Sequence, residues 1–566
     1  PSPHVRSSSV RKSFGAALLG TLSSAALSLS ACGGAAIVPG SSGNSGPPGG
    51  PNPTPSQHTD VVTYKNDLAR TGQNLTESVL TPANVNASGF GLLRLLAVDG
   101  KVDGQPLYLS ALGIGSSSHN AVFVATENDS VYAFDADNGA TLWQVSLLAS
   151  GETPSDPPGG CGQIAPMIGV TSTPVIDRAA GPHGAIFLVA MSRSGGSYHQ
   201  RLHALDVTTG AELLGGPKEI TASYIAPGGG TRTFDPRQYA ERAALLLSRG
   251  TIYTSWTSHC DAPPYTGWII AYNETTLAQT AVLNVAPNGT GGGAATAGPS
   301  IWMSGGGPAA DAAGNVYLLT ANGAFETALD GNGFPSGGDF GNSFLKLAPS
   351  GPSALAVVDY FTMYNEVSES SVDGDLGSGG ILLLPDLTDS SGTVRHLMVG
   401  AGKDGNLYVV SRDSLGRFSP NPPNNIWQQL SGVLGAGIWS TPAWFNGRLY
   451  YGPTGGNLLA FTASNALLAG TPSSRTASRF TYPGTAPSIS ANGSSNGIVW
   501  AHESSSPAVL HAYDATNLAS ELYNSSQAAN GRDQFGAGNK FITPTIADGK
   551  VFVGTQSSVA VFGLLN

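Results

Sequence analysis

One short pattern returns again and again along this chain and limits what it can fold into. VFVATENDSVYAFDADNGATLW, Val122 to Trp143, is strand, turn, strand, an Asp-bearing turn, then a further apolar strand. IFLVAMSRSGGSYHQRLHALDVTTGAELL, ending at Leu214, repeats it, as does TIYTSWTSHCDAPPYTGWIIAYNETTL, ending at Leu277. Later copies read NVYLLTANG with NSFLKLAPSG, HLMVGAGKDGNLYVVSRDSLG, RLYYGPTGGNLLAFTASN, GIVWAHESSSPAVLHAYDATNLASELY and KVFVGTQSSVAVFGLL. Several units open on a small residue and a proline: Thr173-Pro174, Thr441-Pro442, Ala486-Pro487 and Thr543-Pro544. The apolar runs alternate with period two, and no sustained helical period interrupts them. We count eight units, spaced by roughly 45 to 70 residues, the range of propeller blades.

The physical consequence is a ring. A four-stranded blade has two apolar faces and cannot bury both by itself, whereas stacking blades about an axis buries every face. The last unit has chain enough for only about three strands. FGLLRLLAV, Phe90 to Val98, has a strand pattern but no blade of its own. The expectation is therefore an all-β, eight-bladed propeller of four-stranded antiparallel blades, with Phe90–Val98 completing the last blade. Such a closure removes sheet edges that would otherwise pair between molecules. Seven blades is the alternative, if two short C-terminal units merge.

The propeller reading covers residues 59–566. Before it, His4, Arg6, Arg11 and Lys12 form a basic start, and Phe14 to Leu29 is apolar and small-residued. Leu29-Ser30-Ala31-Cys32 then matches a bacterial lipobox. Residues 1–32 read as a lipoprotein signal ending at Cys32, with a plain secretory signal as the alternative. Residues 33–58, rich in Gly, Ser, Pro and Asn, read as a flexible tether. Two acyl chains on Cys32 would hold the protein stably on a membrane. The expected location is the cell envelope: the periplasmic or outer-membrane face, or the cell surface. With Cys32 lipidated, Cys161 and Cys260 remain, and in an oxidising compartment they are expected to pair. Two buried free thiols are the alternative. The chain has no CxxC or CxxCH, which excludes a metal ribbon and an attached c-type haem. Its net charge is −11 and no basic stripe crosses the folded part, so nucleic acid is excluded as a partner.

The turns carry a more specific signal. Ala133, Asp135, Asn138, Gly139 and Trp143 follow the spacing of a tryptophan-docking motif, and Ala204, Asp206, Thr209, Gly210 and Leu214 repeat it with Leu in the Trp place. Weaker copies start at Ala271 and Ala512. With these motifs the chain resembles the pyrroloquinoline-quinone (PQQ) binding propellers, the fold of the quinoprotein alcohol dehydrogenases, in their bacterial lipoprotein subset. Thr63–Asn74 looks like that family's opening segment, Ile301–Gly323 like its glycine-rich blade, and Gly400–Gly416 like a later one.

The resemblance implies a set of site residues. Asn322 and Asp375 match positions that hold calcium, and Asp375 (with Asp373 the alternative) falls near the catalytic base. Thr171, Lys403 and Trp439 match positions that touch the quinone. Oxygen ligands suit a hard cation and a carboxylate can accept a proton. The departures are as specific. Val124-Ala125-Thr126-Glu127 stands where the family has adjacent cysteines. Gly195 falls near the place of its calcium-ligating Glu, and Pro308-Ala309-Ala310 stands where its floor Trp should be. Two functions follow. One is a non-catalytic envelope propeller binding a protein or glycan on its rim, which the departures favour. The other is a PQQ- and calcium-dependent dehydrogenase of an alcohol or sugar, passing electrons to a separate acceptor.

Overall fold

A computed structural model describes residues 59–289, 298–351 and 354–565. The proposed signal, the lipobox Cys32 and the tether lie outside the described residues. Eight sheets follow one another along the chain. The first holds Leu107–Ile114, Ser117–Ala125, Ser130–Asp135 and Thr141–Ser146, in that order and antiparallel throughout. Blades two to seven begin at Val175–Asp177, Leu246–Ser248, Ala309–Ala310, Leu382–Leu383, Ala443–Phe445 and Ser488–Asn492. Blade eight consists of Thr545–Ala547, Lys550–Gly554 and Ser558–Leu564, with Phe90–Ala97 as its fourth strand. Phe90 pairs with Leu564 and Ala97 with Ser558. The N-terminal strand thus latches the ring, as the orphan pattern Phe90–Val98 predicts, and the blades number eight.

Strand alternation closes the circle. In the second strand of blade two, Ile186, Leu188 and Ala190 pack toward blade one, and Phe187 and Val189 toward blade three. Successive side chains of a strand point to opposite faces, so one strand feeds two interfaces. The same device joins blades three, four and five, five and six, six and seven, and seven and eight. Leu96, Phe552 and Val559 of blade eight meet Tyr108, Val122 and Phe134 of blade one and complete the ring. Trp143 of the docking motif lies across the first such interface. Its Nε1 donates to the Val207 carbonyl of blade two at 2.9 Å. Gly210 sits under the ring, where a Cβ would come within 2.8 Å of Trp143 Cε3. Asp135 and Asp206 accept backbone N–H groups from their own turns, Asp137 at 2.9 Å and Thr208 at 2.8 Å.

The opening segment has a second task. Residues 61–74 bond to the first strand of nearly every blade in turn. Val61 pairs with Tyr108 of blade one, and the Val62 carbonyl accepts from Ile176 of blade two. The carbonyls of Leu68, Ala69, Thr71 and Gly72 accept from Ala310, Leu383, Trp444 and Ile489 of blades four to seven. Asn74 Nδ2 donates to Ile546 O of blade eight at 3.0 Å. Arg70, fully buried, donates to the carbonyls of Tyr64, Leu245 and Pro308 and to Thr63 Oγ1. This segment is a plug: the first strands surround the axis, and the plug satisfies their inward-facing backbone groups. Buried backbone groups must find such partners.

Candidate functional site: an axial pocket

Connections enter the blades from the end of the ring that carries the pocket, and their side chains line a pocket of about 240 Å³. Trp439 precedes Thr441-Pro442, and Phe541 precedes Thr543-Pro544, each two residues before the threonine. Tyr482 comes from the connection into blade seven, Arg242 from that into blade three, and Asp373 and Asp375 from that into blade five. The aromatic side is a linked set: Trp439 meets Tyr482 edge-on at 5.5 Å, and Tyr482 meets Phe541 at 6.5 Å. Trp302 adds a fourth ring to the lining. Arg242 lies over Phe541, 4.7 Å from its centroid, and Lys540 lies 5.7 Å from it. Cation–ring contacts of this length are attractive.

On the acidic side, Lys403 Nζ stands 2.8 Å from Asp373 Oδ2 and 3.0 Å from Asp375 Oδ2. The other oxygen of Asp375 accepts the Asn322 backbone N–H at 2.8 Å. Gly402 permits this closeness: a Cβ there would strike the Asp375 carbonyl at 2.1 Å. Burial raises the Asp375 carboxyl above its usual range despite Lys403 and the Asn322 N–H. Burial works against the Lys403 ammonium, but Asp375 and Asp373 outweigh it and hold its pKa above the ordinary lysine value. Burial also raises Asp261, which lines the same pocket. Burial and the neighbouring charges of Arg242 and Lys101 lower Lys540. The pocket is thus bipolar, with carboxylates at one side, cations at the other and rings between.

Behind the pocket wall lies a buried acid pair. Burial and the adjacent Asp103 carboxylate push Glu127 well above the usual carboxylate range. Asp103 stays ionised against Lys101 at 3.1 Å. Glu127 accepts the Gly169 N–H at 2.7 Å and the Thr171 hydroxyl at 2.9 Å.

The structure therefore brings Asp375, Lys403 and Trp439 into one pocket. Asn322 reaches the group through its backbone N–H. Thr171 is buried and its hydroxyl is spent on Glu127. Arg242, Asp261, Trp302, Tyr482, Lys540 and Phe541 carry no motif and were not anticipated; the position two residues before each Thr-Pro threonine would have pointed to Phe541. Cys161 and Cys260 are bonded, joining the connection between blades one and two to a hairpin of blade three.

A calcium ion takes six to eight oxygen ligands. Here both Asp375 oxygens and one of Asp373 are already engaged, and Lys403 supplies the positive charge. Gly195 lies at an exposed hairpin tip with open space around it. Among the described residues no group of three or more His, Cys, Asp or Glu is arranged to hold a metal. Pro308 faces the plug, its carbonyl bonded to Arg70, and Ala309–Ala310 form a buried strand. The donor set does not fit a calcium-held quinone.

No family model matches this chain, and no curated protein sequence does. Solved structures do. The quinohemoprotein alcohol dehydrogenase from Comamonas testosteroni aligns at 15% identity and TM-score 0.56, over 89% of this chain and 80% of that one. The quinohemoprotein alcohol dehydrogenase ADHIIG from Pseudomonas putida HK5 aligns at 12% identity and TM-score 0.56, with the same coverage of 89% and 80%. A europium-containing methanol dehydrogenase aligns at 15% identity and TM-score 0.54, over 89% of this chain and 98% of its own. What this chain shares with them is the fold.

Proposed function

We propose that this chain is a non-catalytic binding propeller of the cell envelope, anchored through lipid on Cys32, and that its axial pocket takes a glycan unit. The observation that carries the reading is the Lys403 bridge between Asp373 and Asp375. It occupies carboxylate oxygens that a metal would need, offsets one of the two negative charges, and leaves polar groups suited to hydroxyls. Trp439, Tyr482 and Phe541 offer flat apolar faces to a sugar ring, and Asp261 and Asp373 accept from its hydroxyls. Arg242 and Lys540 favour a sugar bearing a carboxylate. No described helix is long and apolar enough to cross a membrane, so the proposed attachment rests on the lipid.

A second reading has one observation in its favour: the buried Asp375–Lys403 pair beside aromatic rings is a plausible base and quinone contact. On it the chain would be a dehydrogenase with PQQ and a separate electron acceptor. The engaged oxygens speak against its calcium. Calorimetric titration with glucuronate-bearing and neutral oligosaccharides tests the first reading. Saturable binding of the acidic set, weakened at least tenfold in Trp439→Ala, is expected. Absence of binding by both sets at millimolar concentration overturns it.

A further inference from the structure

We propose that the Cys161–Cys260 bond is a thiol-sensitive latch that holds the wall of the axial pocket in place. The proposal rests on the pocket being the binding site, although its test needs no ligand. Neither cysteine lies in a blade ladder. Cys161 belongs to the long connection between Thr141–Ser146 and Val175–Asp177, and Cys260 to the hairpin between Thr251–Ser258 and Trp268–Asn273. Yet their immediate neighbours Gln163, Ile164 and Asp261 line the pocket. Besides the bond, hydrogen bonds tie these segments down, three of them next to the latch. The Cys260 N–H donates to Gln163 Oε1 at 3.2 Å, Lys540 Nζ donates to the Gln163 carbonyl at 3.0 Å, and Ser258 Oγ donates to Asp261 Oδ1 at 3.2 Å.

The backbone at the latch is held in an unfavourable state. Cys260 and Asp261 have φ of 51° and 50°, the left-handed region that side chains with a Cβ disfavour. Two such residues in succession persist only where surroundings impose them. The disulfide is the one covalent restraint among those surroundings. Cutting it leaves only hydrogen bonds and side-chain packing, such as Ile164 against Ile168 and Met191, to hold the wall.

The bond is also open to attack. Cys260 is exposed, while Cys161 is buried. A thiolate of a small dithiol attacks the Cys260 sulfur and expels the Cys161 thiolate, giving a mixed disulfide. The second thiol of the reagent then displaces Cys260 and closes the reagent's own disulfide. The reagent is oxidised, and Cys161 and Cys260 gain two electrons and two protons. Gln163, Ile164 and Asp261 are then free to leave the pocket.

The test uses the folded protein and dithiothreitol without denaturant. Alkylation with iodoacetamide and peptide mapping score the bond, and hydrogen exchange reads peptides covering residues 161–168 and 259–266. Reduction is expected to speed exchange there at least tenfold. Thr251–Ser258 and Leu397–Gly400 should stay at their oxidised rate, and reoxidation should restore protection. The double variant Cys161→Ser, Cys260→Ser should match the reduced protein. The proposal is overturned if the cleaved bond leaves both peptides at the oxidised rate, if exchange rises throughout the propeller together, or if the bond resists the dithiol. Latch opening without sugar binding would remove the proposed function alone; sugar binding indifferent to reduction would remove the latch alone.

Discussion

Lys403 lies 3.0 Å from Asp375 and 2.8 Å from Asp373, so one ammonium serves two carboxylates in the wall of the axial pocket. Asp375 is largely buried, and removing only its partner leaves a charge that burial opposes. Lys403→Met should therefore cost about 3 kcal/mol in denaturant unfolding at pH 7. Adding Asp375→Asn should restore part of it, giving a coupling above about 1 kcal/mol. A coupling near zero would mean that the pair is only a surface contact.

Glu241 predicts a pH effect with a definite sign. Burial pushes its carboxyl up to about 8, against opposing hydrogen bonds from Ser172 and the Ser255 backbone. The folded state then holds a proton that the unfolded chain releases above about pH 4.5. Stability contributed through this group falls as pH rises from that value to about 8, by at most about 1.4 kcal/mol per pH unit. Glu241→Gln should flatten that slope and be relatively more stable at pH 8 than at pH 5. Parallel pH–stability curves for the two proteins would contradict the assignment.

Arg70 tests the plug. It is fully buried and donates to groups from the plug itself and from segments beside blades three and four. Arg70→Met keeps most of the volume and leaves four acceptors without their donor. Each such loss costs about 1–3 kcal/mol, so a total of at least about 3 kcal/mol is expected in urea unfolding. A change below about 1 kcal/mol would show that the plug is not what satisfies the axis.

The ring was legible because its determinants are local. Strand alternation recurs in every blade and Asp-bearing turns in several, the Trp143–Gly210 pair marks the first interface, and the lone strand Phe90–Val98 had only one vacancy to fill. Asp375, Lys403 and Trp439 were legible through a family resemblance, and all three share the pocket. Thr171 was found in a different contact, because the buried Glu127 captures its hydroxyl. Arg242, Tyr482 and Lys540 gave no signal. They come from the connections into three different blades, three, seven and eight, that meet only because the blades are arranged about one axis, and no periodicity within a blade encodes that meeting.

The central claim is that the axial pocket is a binding site whose carboxylates Lys403 already engages. Absorbance titration of the purified protein with PQQ, with and without calcium, tests it most directly. No saturable quinone binding and no effect of calcium are expected. Stoichiometric, calcium-dependent quinone binding, lost in Asp375→Asn, would contradict it.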